Sequence, residues 1–334
     1  MIRGWRMRGI IFAVFLICTG MLVSGSAHSK TWHVRQDGTG DTQYVDVAVL
    51  WAQTGDTVLV GPGDYYQSTI WLGAIHLISE AGPQSTSLIL YPAVPEQDVH
   101  VIVIEGIDSC SVEGFTLAGA GGGVLNSGGG ILIGDSPALI RGNIITDNWC
   151  ASGGGVSCGG SPAPVIEGNL FYGNGAIAGA AIEIYQCSPR VGNNTIVDNH
   201  ANDGAGAIYL VGAQSFPVIV GNIIVGNGAT TFGALYGDTP ANQITLRCND
   251  VWGNLPSNYD TPLTDQTGSN GNISQDPLFC GVTGSGNYYL QVNSPCAEGH
   301  VPAYCGGSRM GCYPVKCSVA VKKNSWSDMK SLFK

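Results

Sequence analysis

Apolar and polar positions alternate with a period of two in short bursts along the middle of the chain: GGILI at 129–133, GGVSC at 154–158, AAIEI at 180–184, GAIYL at 206–210 and GALYG at 233–237. That alternation predicts β-strand, because successive side chains of a strand point to opposite faces. About a dozen residues after each of the first four bursts, and again after the fifth, comes a hexad with Asn at both ends. The copies are NIITDN (143–148), NLFYGN (169–174), NTIVDN (194–199), NIIVGN (222–227) and NDVWGN (249–254), spaced by 26, 25, 28 and 27 residues. An earlier copy, FTLAGA at 115–120, lies 28 residues upstream and has lost both Asn. A second short strand precedes each hexad, as in ALI before Arg141 and PVI before Glu167. The apolar third position (Ile145, Phe171, Ile196, Ile224, Val251) supplies a further inward side chain, so each repeat holds about three strands and no helix.

A repeat of this size cannot bury its own apolar face. Copies stack, each strand pairing with its equivalent one turn on at roughly 4.8 Å, and equivalent residues become columns. Columns account for the Asn: a stacked amide donates to one coil and accepts from the next, and Asn and Gly tolerate the left-handed backbone of a sharp turn. Leucine-rich and propeller repeats have different patterns and periods. A left-handed hexapeptide helix would repeat every six residues, which this chain does not, and parallel crossovers wind right-handed.

With these repeats, the chain resembles the pectate-lyase-like superfamily over nearly all of its length after the leader. TGDTVLVGPGDYYQS (54–68) resembles that family's entry into its first coil, and GNISQDPLFCG (271–281) with YYLQVNSPC (288–296) resembles the closing segments of its secreted bacterial members. The resemblance implies an all-β, right-handed, single-stranded parallel β-helix with an N-terminal helical cap and a Cys-rich C-terminal cap. It implies no single activity, because the fold hosts many.

The ends refine the domain plan. Arg3, Arg6 and Arg8, the apolar run IIFAVFLI (10–17) and small residues up to Ala27 predict a secretory signal peptide over 1–27, hence a secreted or cell-surface protein. The β-helix with its caps is expected over 28–317, its repeats clearest at 101–260. Val45, Ala48, Val49 and Ala52 predict an amphipathic helix over the first coil. NSWSDMKSLFK, in a tail at 318–334, predicts a short amphipathic helix suited to sorting or docking on a surface partner, or simply a packed or frayed terminus.

Loss of the leader leaves 11 basic against 24 acidic residues, a formal charge of −13, which disfavours nucleic acid as a partner. No later stretch is apolar enough to span a membrane. Ten Cys remain, an even number that favours disulfides in an oxidising compartment, with the connectivity open. There is no C-x-x-C pair to suggest zinc. A monomer without a cofactor is expected, and calcium lacks the converging acids it needs.

Members of the superfamily that cleave acidic polysaccharides hold substrate along one sheet, so the outward columns are where chemistry is sought. Between the inward residues of the alternating bursts, the outward column reads Leu132, Ser157, Glu183, Tyr209, Tyr236. A carboxylate beside two stacked rings suits a sugar, the rings against its apolar face and the acid on its hydroxyls. The plainer alternative is a solvated strand face where Tyr is favoured by β-propensity. A second group is Asp147, Asp198 and His200, near Arg190 and Asp203. The two Asp share a column two coils apart, roughly 9.6 Å, near the upper limit for an acid and base that straddle a water. Turns also select Asp, and the Gly173 between the two departs from the paired acids of a polygalacturonase-like site. Two readings therefore stand: a non-catalytic β-helix that binds an extracellular glycan or other surface through Glu183, Tyr209 and Tyr236, and a polysaccharide lyase or glycoside hydrolase using Asp147, Asp198 and His200. The sequence leaves open whether the protein is an enzyme.

Overall fold

The computed structural model describes residues 29–91, 100–121, 126–281 and 286–318. The expected leader and the expected tail helix lie outside the described residues. The alternating bursts and the hexads belong to three long parallel sheets. Sheet A has nine strands, from Thr31–Val34 to Thr245–Arg247. Sheet B has eight, from Gly63–Gln67 to Asp250–Trp252, and carries the hexads. Sheet C has seven, from Ile70–Trp71 to Leu235–Gly237, and carries the bursts. The hexads lie directly over one another, Ile144 facing Leu170, then Thr195, Ile223 and Asp250 in successive coils.

The expected Asn ladders are built. Asn143 Nδ2 donates to Asn169 Oδ1 at 3.1 Å and to the Val112 carbonyl at 2.9 Å, while its own Oδ1 accepts the Phe115 N–H. The pattern repeats through Asn169, Asn194, Asn222 and Asn249 to Asn272. A second ladder runs from Asn148 through Asn174, Asn199, Asn227 and Asn254 to Asn258. From Asn143 to Asn254 each amide is buried and fully bonded, so its loss would strand neighbouring groups at about 1–3 kcal/mol each. Inside the coils, Ile145, Phe171, Ile196, Ile224 and Val251 are completely buried in the core.

The structure adds three things to this plan. Two coils precede the first recognisable hexad, their strands Thr57–Val60 and His76–Ser79 extending sheet A without any Asn. The middle coils also carry a fourth short strand, at Trp149–Ser152, Gly175–Ala178, His200–Ala201 and Gly228–Ala229. Small residues there give no apolar alternation to read. Finally, the Cys-rich segment closes the C-terminal region and then turns back along the outside of sheet B. The end of the stack is met by residues 255–275, where Tyr259 bridges to Leu235 and Ile273 to Asp250. Beyond them, the Tyr288 hydroxyl donates to Asp198, the Gly311 N–H to the Gly221 carbonyl and the Cys312 N–H to Thr195.

At the other end the predicted helix forms at Val45–Trp51, with Val45 and Ala48 buried and Val49 and Ala52 packed on the core. Two disulfides, Cys248–Cys305 and Cys280–Cys317, fasten the C-terminal segment. Among the described residues pairing stops there: Cys110, Cys150, Cys158, Cys187 and Cys296 are buried thiols and Cys312 is half-buried. Burial pushes the Cys110 thiol up to about 12 and that of Cys150 to about 11, which keeps both protonated and inert. No described helix is long and apolar enough to cross a membrane.

Candidate functional site

The last five strands of sheet C follow a column of small residues, Gly129, Gly154, Ala180, Gly206 and Gly233, where the incoming loop passes against the next coil. A Cβ at Gly154 would collide with the carbonyls of Gly175 and Ala180, so only a very small residue lets this corner close. The strand then alternates, and its outward positions form the column read from the sequence. Glu183 pairs with Tyr209 and Tyr209 with Tyr236, after Leu132 and Ser157 in the preceding coils.

Exposure divides that column. The corner at Gly153, held at φ 60°, lies against Ser157, and the one at Gly179, φ 62°, against Tyr209. Ser157 is 4% and Glu183 7% exposed, and the Glu183 carboxylate accepts the Ser157 hydroxyl at 2.7 Å. Glu183 thus sits beneath the surface, its charge engaged within the sheet. One coil on, the column opens: Tyr209 and Tyr236 stack with centroids 5.8 Å apart and planes 18° from parallel. Phe232, in the loop before the last strand, stacks on Tyr236 at 3.8 Å and 3°. The Tyr209 phenol is pushed above its ordinary value, first by partial burial and then by the neighbouring Tyr236 and Asp238, so it remains a neutral hydrogen-bond donor.

Two residues along the strand from Glu183, on the same outward face, Tyr185 is 50% exposed. Beyond it the corner opens into a hollow of about 500 Å³ lined by Ser161, Gln186, Ser188 and Gln214 among others. Rings at one edge of the sheet and amides and hydroxyls at the other make a shallow track able to stack a sugar ring and bond its hydroxyls. Tyr185, Phe232 and the glutamines were missed in the sequence. Tyr185 was legible, since it has the same strand parity as Glu183; Phe232 sits in a loop and follows no period.

The second candidate group is arranged differently. Asp147 and Asp198 hold the left-handed corner that Gly173, Gly226 and Gly253 hold in other coils, with φ of 53° and 55°. They share a column two coils apart, as the spacing requires. Asp147 accepts the Thr146 hydroxyl at 3.1 Å, and Asp198 accepts that of Tyr288 at 3.3 Å. His200 is exposed on the fourth strand between Gly175 and Gly228. Arg141 and Arg247 share a column four coils apart, and Arg141 is engaged with Glu113 at 2.6 Å. Among the described residues no three His, Cys, Asp or Glu converge as metal ligands.

Residues 97–251 match the family model described as right handed beta helix region. The fold of the described residues is a right-handed parallel β-helix. Solved structures similar to this β-helix include a pectin methylesterase from carrot, 11% identical, with a TM-score of 0.38 over 74% of this chain and 88% of that one. Pectin methylesterase PemA from Erwinia chrysanthemi is 9% identical, with a TM-score of 0.36 over 75% and 93% of the two chains. A pectin methylesterase in complex with a hexasaccharide is 10% identical, with a TM-score of 0.36 over 75% and 94%. No curated protein matches the sequence significantly.

Proposed function

We propose that this β-helix is an extracellular protein that binds a glycan without catalysis, on the outer face of sheet C. The observation that carries the reading is the stack of Phe232, Tyr236 and Tyr209 beside the exposed Tyr185 and a polar hollow. Such rings stack on the apolar face of a pyranose while neighbouring amides bond its hydroxyls. Glu183 supports the surface from beneath, through Ser157. Two disulfides agree with an oxidising compartment. The hydrolytic reading of Asp147, Asp198 and His200 is weaker, because both acids stand where the turn selects a left-handed residue and Asp198 is engaged with the C-terminal segment.

A glycan array with the purified chain tests this. The expected result is binding to a defined set of oligosaccharides, weakened about tenfold or more by Tyr236→Ala or Tyr209→Ala, with no release of reducing or unsaturated ends. Turnover of a bound glycan that Asp198→Asn abolishes would replace this reading with the enzymatic one.

A further inference from the structure

Cys158 and Cys187 meet at one inner corner of the β-helix. On the strand Val156–Gly159, Cys158 faces inward and stands opposite Ile184 of the next coil. That coil turns at Gln186, held at φ 46°, and Cys187 follows directly, facing the core. Cys158 is 0% and Cys187 1% exposed, and both belong to the same cluster of core side chains. The Cys158 sulfur reaches toward the next coil, 3.6 Å from the Glu183 carbonyl oxygen, and its thiol donates to the sulfur of Cys187. Adjacent coils stand about 4.8 Å apart, a rise that lies within the Cα separation of about 4.4–6.8 Å that a disulfide spans.

Of the six described thiols, these two alone have a second thiol as partner. Cys150 turns to the Asn126 carbonyl, Cys296 to Asp250 and Cys312 to Thr195, while Cys110 meets burial alone. The shared contact separates the acidities of the pair: it pushes Cys158 up, with burial adding to it, and holds Cys187 down, against its own burial. Cys187 is thus the member that ionises first and attacks. Gln186 and Ser188 line the hollow at the edge of sheet C, so solvent comes up to the chain on both sides of this cysteine.

We propose that Cys158 and Cys187 close as a third disulfide when the chain matures, one that bonds two neighbouring coils through the core. The structure shows the reduced form. Closure rests on the extracellular reading above, in which an oxidising compartment supplies a disulfide oxidant, RSSR. The Cys187 thiolate attacks one sulfur of the oxidant and releases RS−. The Cys158 thiolate then attacks the Cys187 sulfur of the mixed disulfide and releases the second RS−. The pair gives up two protons and two electrons, and the oxidant leaves as two RSH. Both cysteines are buried in the finished stack, so the bond forms while these coils assemble and is afterwards shielded from reductant.

The test is peptide mapping of the full chain, refolded from the reduced, denatured state in a glutathione redox buffer and then unfolded without reductant in excess N-ethylmaleimide. The expected result, read by tandem mass spectrometry, is Cys158 linked to Cys187 with the loss of two hydrogens, while Cys110 and Cys150 carry the alkyl group. Cys187→Ser should leave Cys158 alkylated; if that variant fails to fold, the wild-type map decides the matter alone. Two results overturn the proposal: Cys158 and Cys187 both alkylated in the refolded wild-type chain, or either one linked to a different cysteine. If Cys248–Cys305 and Cys280–Cys317 are closed when this pair is alkylated, the extracellular reading stands without the third bond, and if they are open as well, its support from disulfides falls too.

Discussion

Sheets B and C are built from the same coils, yet their outer faces have opposite fates. On sheet B apolar outward residues, Leu170, Val197, Ile223 and Val225, are buried under the returning C-terminal segment through Tyr288, Leu290 and Met310. On sheet C Ser157 and Glu183 lie buried, while Tyr209 and Tyr236 are half-buried in a stack and Tyr185 is 50% exposed. A stack of coils offers several faces of equal geometry, so what distinguishes them is the chain that lies on top. The face that the described residues leave with rings and no cover is the one available to a ligand.

The comparison breaks most severely if the cover is loosened. Tyr288 is almost fully buried, edge-on to Phe279 at 5.2 Å and bonded to Asp198. Tyr288→Ala is expected to cost about 3–5 kcal/mol, as for other large-to-small core changes, and urea melts would read it. The loss should expose sheet B to a hydrophobic dye, while an equivalent cavity on sheet C does not arise.

Acidity should act on the same contact. Asp250 faces outward on the last strand of sheet B, buried under the cover, where it accepts the Gln275 N–H at 3.0 Å and the Cys296 thiol at 3.1 Å. Burial pushes its carboxyl up to about 7, against the lowering effect of those two bonds. Its folded value lies above the unfolded one, so its contribution is complete below pH about 4 and is lost as pH rises through about 7. A shift of about three units corresponds to at most about 4 kcal/mol. Melts at pH 4.5 and 7.5 should show stability falling across that window from this group, and Asp250→Asn should remove that part of the slope.

Removing the 57-residue loop closure by Cys248→Ser with Cys305→Ser is expected to cost about 2–4 kcal/mol. Sheet C supplies the contrast at the small end: Tyr236→Ala should change stability by no more than about 1 kcal/mol, in the range of partly exposed positions, while weakening glycan binding. A large loss of stability there would mean that the rings are packing and not a surface.

How legible this was in the sequence follows from range and period. The hexads starting at Asn143, Asn169 and Asn194 declare the stack because each coil repeats the same chemistry at nearly the same distance. The coils around Val58 and Leu77 bury the same kind of strand without Asn, so no column marked them. The cover was illegible for a different reason. Its contacts join residues 90 apart, as in Tyr288 with Asp198, or 117 apart, as in Cys312 with Thr195, and belong to no repeat. Register placed Glu183, Tyr209 and Tyr236 in one column correctly, but Glu183 is buried where the two Tyr are half-buried, and strand alternation carries no information about that.

Amide hydrogen exchange on the chain, with and without an oligosaccharide identified by the array, tests the division between the two faces most directly. Added protection over 207–211 and 232–237, with none over 170–172 and 195–197, is the predicted result. Protection confined to the strands of sheet B, or none on sheet C, would contradict it.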